Sequence, residues 1–597
     1  MPVGSPSAGR SRRTRELTSG RLPASVPRFG PTQPRVAAQR VAHVLGINAV
    51  FHDPAAALVS GGRIVAAAEE ERFSRRKHGK PPVAFSTWEL PEESALWCLQ
   101  KGGLRAGDLD AVAYSYDPAL APEPTGDVTA ATWEELRTLY VGRAPLFLRT
   151  ALPGLDPERV RFVPHHVAHA ASAYLAAGFE HCAVMTVDGR GEATSGLMGH
   201  VKDGRLDILA EQRLPHSLGL VYESLTAHLG FRRASDEYKV MALASYGEPI
   251  FLDQLREAIR ADGQGGFSAE PPNWSRLAPP ANGQLEEVHA QLAASVQRRL
   301  EDVLLELAGW LHERTGERRL ALAGGVALNC VANSRLWRES PFEEIWVQPA
   351  AGDAGTALGA ALFTARELGD ELEPMMGAAL GRGWSDDELE ARLERAALPY
   401  ERPSDVAEEA AEVLARNGVV AWFDGRSEYG PRALGHRSLM ADPRDAANLE
   451  RLNDVKGREQ FRPVAPMVLA ERASEIFSGG PIPSPYMLFT HRVAADWLDR
   501  IPAVVHVDGS ARIQTIDAER EPRVARMLRA FERRTGVPVV VNTSLNTAGR
   551  PMVDSPADAL ECFGSAPVDA LVMGPFIVRR PGSRAGAREG ADELLVG

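Results

Sequence analysis

The sequence predicts an α/β protein of several domains whose N-terminal part uses one plan twice. Short apolar runs with strand character alternate with longer helical segments. A strand leading into a hairpin occurs near residue 44 and returns near residue 181, and a polar, acidic stretch over 370–405 separates this part from further strands and helices. The 597 residues correspond to two to four domains at roughly 100–200 residues each. Hydrophobic residues make up 44% and charged residues 24%, which is the balance of a globular chain and excludes a disordered or fibrous one.

Taken in chain order, residues 1–40 carry Arg, Ser and Pro without an apolar segment, so they read as a disordered tail and not as a secretory signal. Val44-Leu-Gly-Ile-Asn-Ala-Val-Phe-His-Asp53 then reads as a strand, followed by Ala55 to Ser60, a Gly61-Gly62 turn and a strand from Arg63 to Ala68. The plan repeats as His181 to Asp188, Gly189-Arg-Gly191, Ser195 to Val201, a Lys202-Asp203-Gly204 turn and Arg205 to Leu214. Such a repeat is what a duplicated actin-like ATPase (ASKHA) fold would show; two unrelated hairpins in one α/β protein would look the same at this level. Residues 285–318 have apolar residues at helical spacing and lead into the strand Arg319-Leu-Ala-Leu-Ala323. A helix is expected from about Asn329, and a small-residue helix after Asp353. Gly418-Val-Val-Ala-Trp-Phe423 resumes strand character. The division is therefore a tail 1–40, a first domain 41–375, a boundary region 376–405, a second domain 406–585 and a tail 586–597.

The formal net charge is -12, from 79 acidic against 67 basic residues, so a chain-wide basic footprint for nucleic acid is excluded and any polyanion site must be local. Four cysteines without a C-x-x-C pair signal neither a disulfide framework nor a cysteine zinc site and fit a reducing cytoplasm. No apolar run approaches the ~18 residues that span a bilayer. Lysine is confined to Lys77, Lys80, Lys101, Lys202, Lys239 and Lys456.

Three groups of residues could carry chemistry. His165 and His169 lie four apart in an Ala-rich helical run, so they share a face, the spacing that grips one metal ion; a satisfied helix-end cluster is the alternative. Asp188, at the end of an apolar strand and before glycines, is a candidate third ligand. The H-E-x-x-H pattern is not met, which disfavours peptide hydrolysis. Ala323-Gly-Gly-Val-Ala-Leu-Asn329 and Ala351-Gly-Asp-Ala-Gly355 place glycines before helix starts, where free N–H groups suit phosphate or ribose, although packing turns also look this way. Arginines cluster in Asp424 to Ser438, Gln460-Phe-Arg-Pro463, His506 to Gln514 and near Val541-Asn-Thr-Ser-Leu-Asn546, and they suit phosphate, which a guanidinium holds bidentately.

These residues, in this order, resemble the ATP-dependent O-carbamoyltransferases of the NodU/CmcH type, which modify antibiotics and nodulation factors. The resemblance runs from about Val44 to Val578. It rests on Gly46-Ile-Asn…His52-Asp53, Glu71-Arg-Phe-Ser-Arg…Lys77-His78, His165/His169, Asp188-Gly, Gly324-Gly-Val-Ala-Leu-Asn329, Gly352-Asp-Ala-Gly355, Gly430-Pro-Arg-Ala-Leu-Gly435 and Asn542-Thr-Ser544. It implies an actin-like domain joined to a C-terminal YrdC-like α/β domain. The YrdC-like domain would convert carbamoyl phosphate and ATP to carbamoyl adenylate, and the actin-like domain would pass the carbamoyl group to a hydroxyl of a small molecule.

By the same resemblance, His165, His169, Asp188 and Asp353 would hold a divalent metal of the iron(II) type, Fe2+, with Mn, Co or Zn also open. Gly189, Glu237, Lys239, Gly324, Gly325, Asn329 and Asp353 would line the nucleotide. His52 would be the base for the acceptor hydroxyl and Lys77 would steady the carbamoyl oxygen. Arg432, His436, Arg462, Arg512, Gln514, Asn542 and Ser544 would surround carbamoyl phosphate and ATP, the latter with Mg2+. His436 stands where the family often has Asn, and Ala242 and Ser245 where it often has Gly and Pro. The expected partners are ATP, carbamoyl phosphate and a small alcohol, with no membrane or nucleic acid, and a homodimer is allowed. The acceptor, whether macrolide, aminoglycoside, cephem or glycolipid, is not readable. A tRNA threonylcarbamoyladenosine-type transferase and a non-catalytic actin-like nucleotide-binding chaperone remain as alternatives; hydrogenase-maturation enzymes carry paired cysteines that this chain lacks.

Overall fold

The computed structural model describes residues 41–79, 89–122, 133–547 and 549–582. The tails expected over 1–40 and 586–597 lie outside the described residues. The first sheet holds β1 (His43–Asn48), β2 (Ala55–Ser60), β3 (Arg63–Glu69), β4 (Ala111–Tyr114) and β5 (Val160–Phe162), in the order β3-β2-β1-β4-β5. β1, β2 and β3 form an antiparallel meander, while β4 runs parallel to β1 and β5 parallel to β4. Helices and loops between β3 and β4 and between β4 and β5 supply the crossovers that parallel pairing requires.

The second sheet repeats this arrangement. β6 (Cys182–Val187), β7 (Thr194–Lys202) and β8 (Arg205–Arg213) form the meander; then come a two-stranded ribbon of β9 (Ile259–Ala261) and β10 (Phe267–Ala269), and β11 (Arg319–Ala323) and β12 (Glu344–Val347) complete the order β12-β11-β6-β7-β8. β11 pairs parallel to β6 and to β12. Strand for strand this is the first sheet again, so the hairpin repeat seen in the sequence is a duplicated five-stranded unit, the actin-like architecture, and not two unrelated hairpins.

Small residues bring the two units together. The helices His165–Ala177 and Ala354–Glu367 pack face to face through fully buried alanines. A Cβ on Gly359 would lie 1.8 Å from the Ala168 carbonyl oxygen, and one on Gly46 of β1 would lie 1.8 Å from that of Ala357. Only glycine allows backbones this close. That packing carries His165, His169 and Asp353 to one point.

The C-terminal part has its own core around a seven-stranded sheet. Its strands are β13 (Val420–Phe423), β14 (Arg437–Ala441), β15 (Ala465–Leu469), then, beyond a three-stranded ribbon of β16 (Phe477–Ser478), β17 (His491–Val493) and β18 (Ser510–Ala511), β19 (Gln514–Ile516), β20 (Val539–Ser544), β21 (Ala570–Met573) and β22 (Phe576–Arg579). The order is β19-β15-β20-β14-β13-β21-β22. The helix Pro522–Thr535 lays an apolar face of Val524, Met527, Leu528 and Phe531 on this core and ends at Gly536 in the left-handed conformation.

A buried clasp is among the contacts that join the two parts. The Gly430 N–H donates to Glu69 Oε1 at 2.7 Å, and the Gly430 carbonyl accepts from an Arg72 guanidinium N–H at 2.8 Å. Glu69 and Arg72 are themselves paired at 3.3 Å and both are buried. Arg75 adds hydrogen bonds to the carbonyls of Pro551 and Met552.

Two expected strands end earlier than their apolar runs. β1 stops at Asn48 because the chain turns there: Asn48 Nδ2 donates to the carbonyls of His52 and Asp53, and Asp53 takes a left-handed φ of 50°. β6 stops at Val187, which leaves Asp188 on the turn where a ligand can be reached.

Candidate functional site

The first site sits where the duplicated units meet. His165 and His169 project from the start of one helix, Asp188 follows β6, and Asp353 is the N-cap of the helix Ala354–Glu367. One ligand atom from each lies within 4.8 Å of all the others, and all four residues are buried. His165 Nε2 is 3.7 Å from Asp188 Oδ2 and 3.7 Å from Asp353 Oδ1; His169 Nε2 is 3.8 Å and 3.6 Å from the same two atoms. These separations exceed hydrogen-bond length, and both Nε2 atoms and both Asp353 oxygens are buried without a partner. Buried polar atoms are normally satisfied. Four converging, unsatisfied imidazole and carboxylate atoms are a donor set that fits a divalent cation.

The surroundings fix the orientation of these groups. His165 Nδ1 meets the Ser115 carbonyl at 3.1 Å, which turns Nε2 to the centre, and Glu192 accepts the His165 backbone N–H at 2.8 Å. The Gly325 N–H donates to Asp188 Oδ1 at 2.6 Å. Gly324 has a φ of 93°, and its Cβ would lie 2.3 Å from the Val187 carbonyl oxygen, so the Gly-Gly loop must approach β6 without side chains. Burial disfavours the charged forms, yet attraction between the facing imidazoles and carboxylates wins: the Asp188 and Asp353 carboxyls are held below the usual carboxylate range and His165 is raised. His166 points elsewhere, to Thr194 Oγ1 at 2.9 Å, and burial with the nearby His165 holds it low.

His52 borders this cluster, with Nε2 3.9 Å from Asp353 Oδ2. Burial pushes its pKa down, but the charges of Asp353 and Asp53 lift it well above the ordinary imidazole value.

The second site is a nest of cations. Burial and the nearby guanidinium groups of Arg512 and Arg462 hold Arg432 below the ordinary arginine value; burial, Arg462 and Arg512 do the same to Arg458; burial, Arg458 and Arg462 depress Lys456. The Nε atoms of Arg432 and Arg512 are buried without a partner. Like charges gathered this closely repel one another unless an anion joins them. Arg462 lies 4.4 Å from the centre of the Tyr238 ring and Lys77 Nζ lies 5.9 Å from it, so the first domain contributes to the rim.

The expected residues fall into three groups. His165, His169, Asp188, Asp353, His52 and Gly325 converge on the first site, and Arg432, Arg462 and Arg512 on the second. Others have hydrogen-bond or ion-pair partners within the protein. Asn329 bonds Gln297 and caps the helix Cys330–Glu339. Gln514 and Asn542 bond each other at 2.7 Å and hold the carbonyls of Leu434 and Ala433. Ser217 Oγ donates to the Gly189 carbonyl at 2.7 Å, and Glu237 accepts the Ala234 N–H at 2.8 Å. Lys239 pairs with Glu459 at 2.8 Å, His436 with Glu521 at 3.2 Å, and Ser544 Oγ accepts from Lys456 at 3.0 Å. Lys77 stands beside the second site. Sequence reasoning passed over Lys456, Arg458 and Tyr238; the available signal was a retained lysine in an Arg-rich chain two residues before an arginine.

The fold thus brings a buried imidazole–carboxylate cluster and a nest of cations into one chain. The chain belongs to the carbamoyltransferase family: the pattern described as Carbamoyltransferase N-terminus matches residues 43–123 and 133–362, and Carbamoyltransferase C-terminus matches 411–580. It is a carbamoyltransferase enzyme. It is 38% identical to Nodulation protein NolNO of Sinorhizobium fredii, over 89% of this chain and 80% of that protein. It is 39% identical to Nodulation protein NolO of Bradyrhizobium diazoefficiens, over 70% of this chain and 79% of that one. Among solved structures, HypF of T. kodakarensis aligns over 55% of this chain and 48% of its own, at 14% identity and a TM-score of 0.34.

Proposed function

We propose that the chain is an ATP- and carbamoyl-phosphate-dependent O-carbamoyltransferase that acts on a hydroxyl of a secondary metabolite, with two half-reactions on its two parts. The observation that carries this reading is the nest of Arg432, Arg458, Arg462, Arg512 and Lys456, in which Arg462 faces Glu459 at 3.6 Å while the Nε atoms of Arg432 and Arg512 are buried without a partner, set beside first-domain residues. In a YrdC-like domain from 406, this nest binds carbamoyl phosphate and the phosphates of ATP. Carbamate, released with inorganic phosphate by one water, attacks Pα of ATP; pyrophosphate leaves and carbamoyl adenylate forms. Carbamate is a poor electrophile, and the mixed anhydride supplies a leaving group whose developing charge guanidinium groups stabilise.

In the first domain, 41–375, His165, His169, Asp188 and Asp353 would hold a divalent cation, iron(II) by resemblance, which when bound supplies a positive centre for the adenylate phosphate. The Gly324-Gly325 loop lets the nucleotide approach the backbone. His52 accepts the acceptor's hydroxyl proton as its oxygen attacks the carbamoyl carbon and AMP departs, and Lys77, at the rim between the sites, steadies the carbamoyl group. Cytoplasmic residence is supported by free thiols at Cys98, Cys182, Cys330 and Cys562; among the described residues no helix is long and apolar enough to cross a membrane. The test is transfer of isotope-labelled carbamoyl phosphate, with ATP and Mg2+, to a panel of macrolide, aminoglycoside, cephem and glycolipid alcohols. Label should appear on an alcohol only when ATP is present, with stoichiometric pyrophosphate. Pyrophosphate release that does not depend on carbamoyl phosphate would overturn the reading.

A further inference from the structure

His52 has a neighbour whose geometry the reaction so far leaves unused. Asp53 Oδ2 meets His52 Nδ1 at 2.9 Å, and Asp53 Oδ1 meets His78 Nδ1 at 2.7 Å, so one carboxylate bridges two imidazoles 26 residues apart. Both Asp53 and His78 sit at left-handed φ values, 50° and 60°. Such backbone is strained for a residue with a side chain and persists where the surroundings enforce it. They do so here. Asn48 Nδ2 ties down the carbonyls of His52 and Asp53, and Glu71 accepts the His78 backbone N–H at 2.9 Å.

We infer that Asp53 is a positioning residue: by accepting an N–H from His52 and His78 together, it holds both rings in the Nδ1–H form and leaves His52 Nε2 as the atom that faces Asp353 and the reacting hydroxyl. The chemistry follows from the donor inventory. Although burial opposes its charged form, His78 and His52 keep the Asp53 carboxyl well below the usual carboxylate range, and an ionised carboxylate only accepts. Each facing Nδ1 must therefore donate, which leaves Nε2 as the nitrogen whose proton comes and goes. His78 is the second anchor. Without it, one carboxylate oxygen loses its partner and the carboxylate can rotate about the bond that aims His52. Among the described residues His78 Nε2 is buried without a partner, and the ring's polar contact is with Asp53.

The inference rests on His52 being the base, and the experiment separates the two. Synthetic carbamoyl adenylate and an acceptor alcohol are supplied to wild type, Asp53→Asn, His78→Leu, His78→Asn and His52→Ala, with metal content measured for each. Asp53→Asn should lower transfer kcat by about 10²-fold or more, with acceptor KM within about threefold of wild type, and metal content and pyrophosphate release from carbamoyl phosphate and ATP unchanged. His78→Leu should show the same split, and His78→Asn, whose amide donates where Nδ1 did, should restore most of kcat. Should Asp53→Asn fold poorly, the His78 pair alone decides. Normal kcat in Asp53→Asn, equal activity of the two His78 variants, or a loss of metal with Asp53→Asn overturns the inference. Normal transfer by His52→Ala would instead overturn His52 as the base.

Discussion

Arg462, from the C-terminal part, rests its guanidinium 4.4 Å above the ring of Tyr238, from the N-terminal part, while Lys239 next to that tyrosine pairs with Glu459 at 2.8 Å. The wall of the anion nest is thus built by both parts of the chain. The cation nest and the first domain therefore share a wall at Tyr238 and Lys239.

His169→Ala should strip the divalent ion. It removes one of four converging ligand atoms, and loss of a ligand forfeits much of the chelation. Elemental analysis of purified protein checks this: wild type should carry about one equivalent and the variant a small fraction of it. A variant with full metal content would show that the four residues do not act as one site.

Arg432→Ala and Arg512→Ala should slow pyrophosphate release that depends on carbamoyl phosphate. Each removes a charge-assisted contact worth about 1.5–3 kcal/mol, or about 10- to 160-fold. Synthetic carbamoyl adenylate should restore transfer in both. His52→Ala should form adenylate normally and transfer about 10²–10⁴-fold more slowly, with no rescue. Arginine variants that release pyrophosphate at the wild-type rate would refute the division of labour.

The pair of His436 and Glu521 predicts a pH dependence of stability. Burial works against the charged imidazole, but the Glu521 hydrogen bond and the Glu428 charge raise its pKa above the ordinary value. A raised folded-state pKa adds stability that is fully present below the unfolded value, about 6.5, and is lost as pH rises through the folded value. Thermal melts of wild type and Glu521→Gln should therefore differ most near pH 6, by on the order of 1 kcal/mol, and converge by pH 9. A gap independent of pH would show that the pair contributes no charge.

Gly359→Ala should destabilise the fold and the metal site together. The added methyl would meet the Ala168 carbonyl oxygen at 1.8 Å, forcing apart the two helices that carry His165, His169 and Asp353. Overpacking of this kind costs about 1–3 kcal/mol. Melting temperature and metal content should both fall; an unchanged melt would mean that the helices separate without strain.

Much of the fold was legible because its signals are local. The repeated strand and hairpin, the 3.6-residue periodicity of the helix Glu287–Thr315 and the Asn329 cap each follow from a few neighbouring residues. The ligands were half legible. The spacing of His165 and His169 marks one helix face, but nothing near Asp353 announces its partners, and only the family resemblance joined it to them. Asn329, Gln514 and Asn542 illustrate the limit. Their types suit ligand contact, and their amides also hold neighbouring loops, a second use that the sequence does not announce. Lys456 and Arg458 were missed because a buried cation and a solvated one look alike until the surroundings are known.

The clasp of Glu69 and Arg72 on the Gly430 peptide has a meaning for how such a chain can be divided. Expressed alone, the first part would keep Glu69 and Arg72 paired but expose the backbone-binding edges of both, and the second would present the bare Gly430 amide and carbonyl to water on a loop adjoining Arg432. A chain divided between the two parts would therefore leave a buried ion pair and a loop peptide each without the partner it now has.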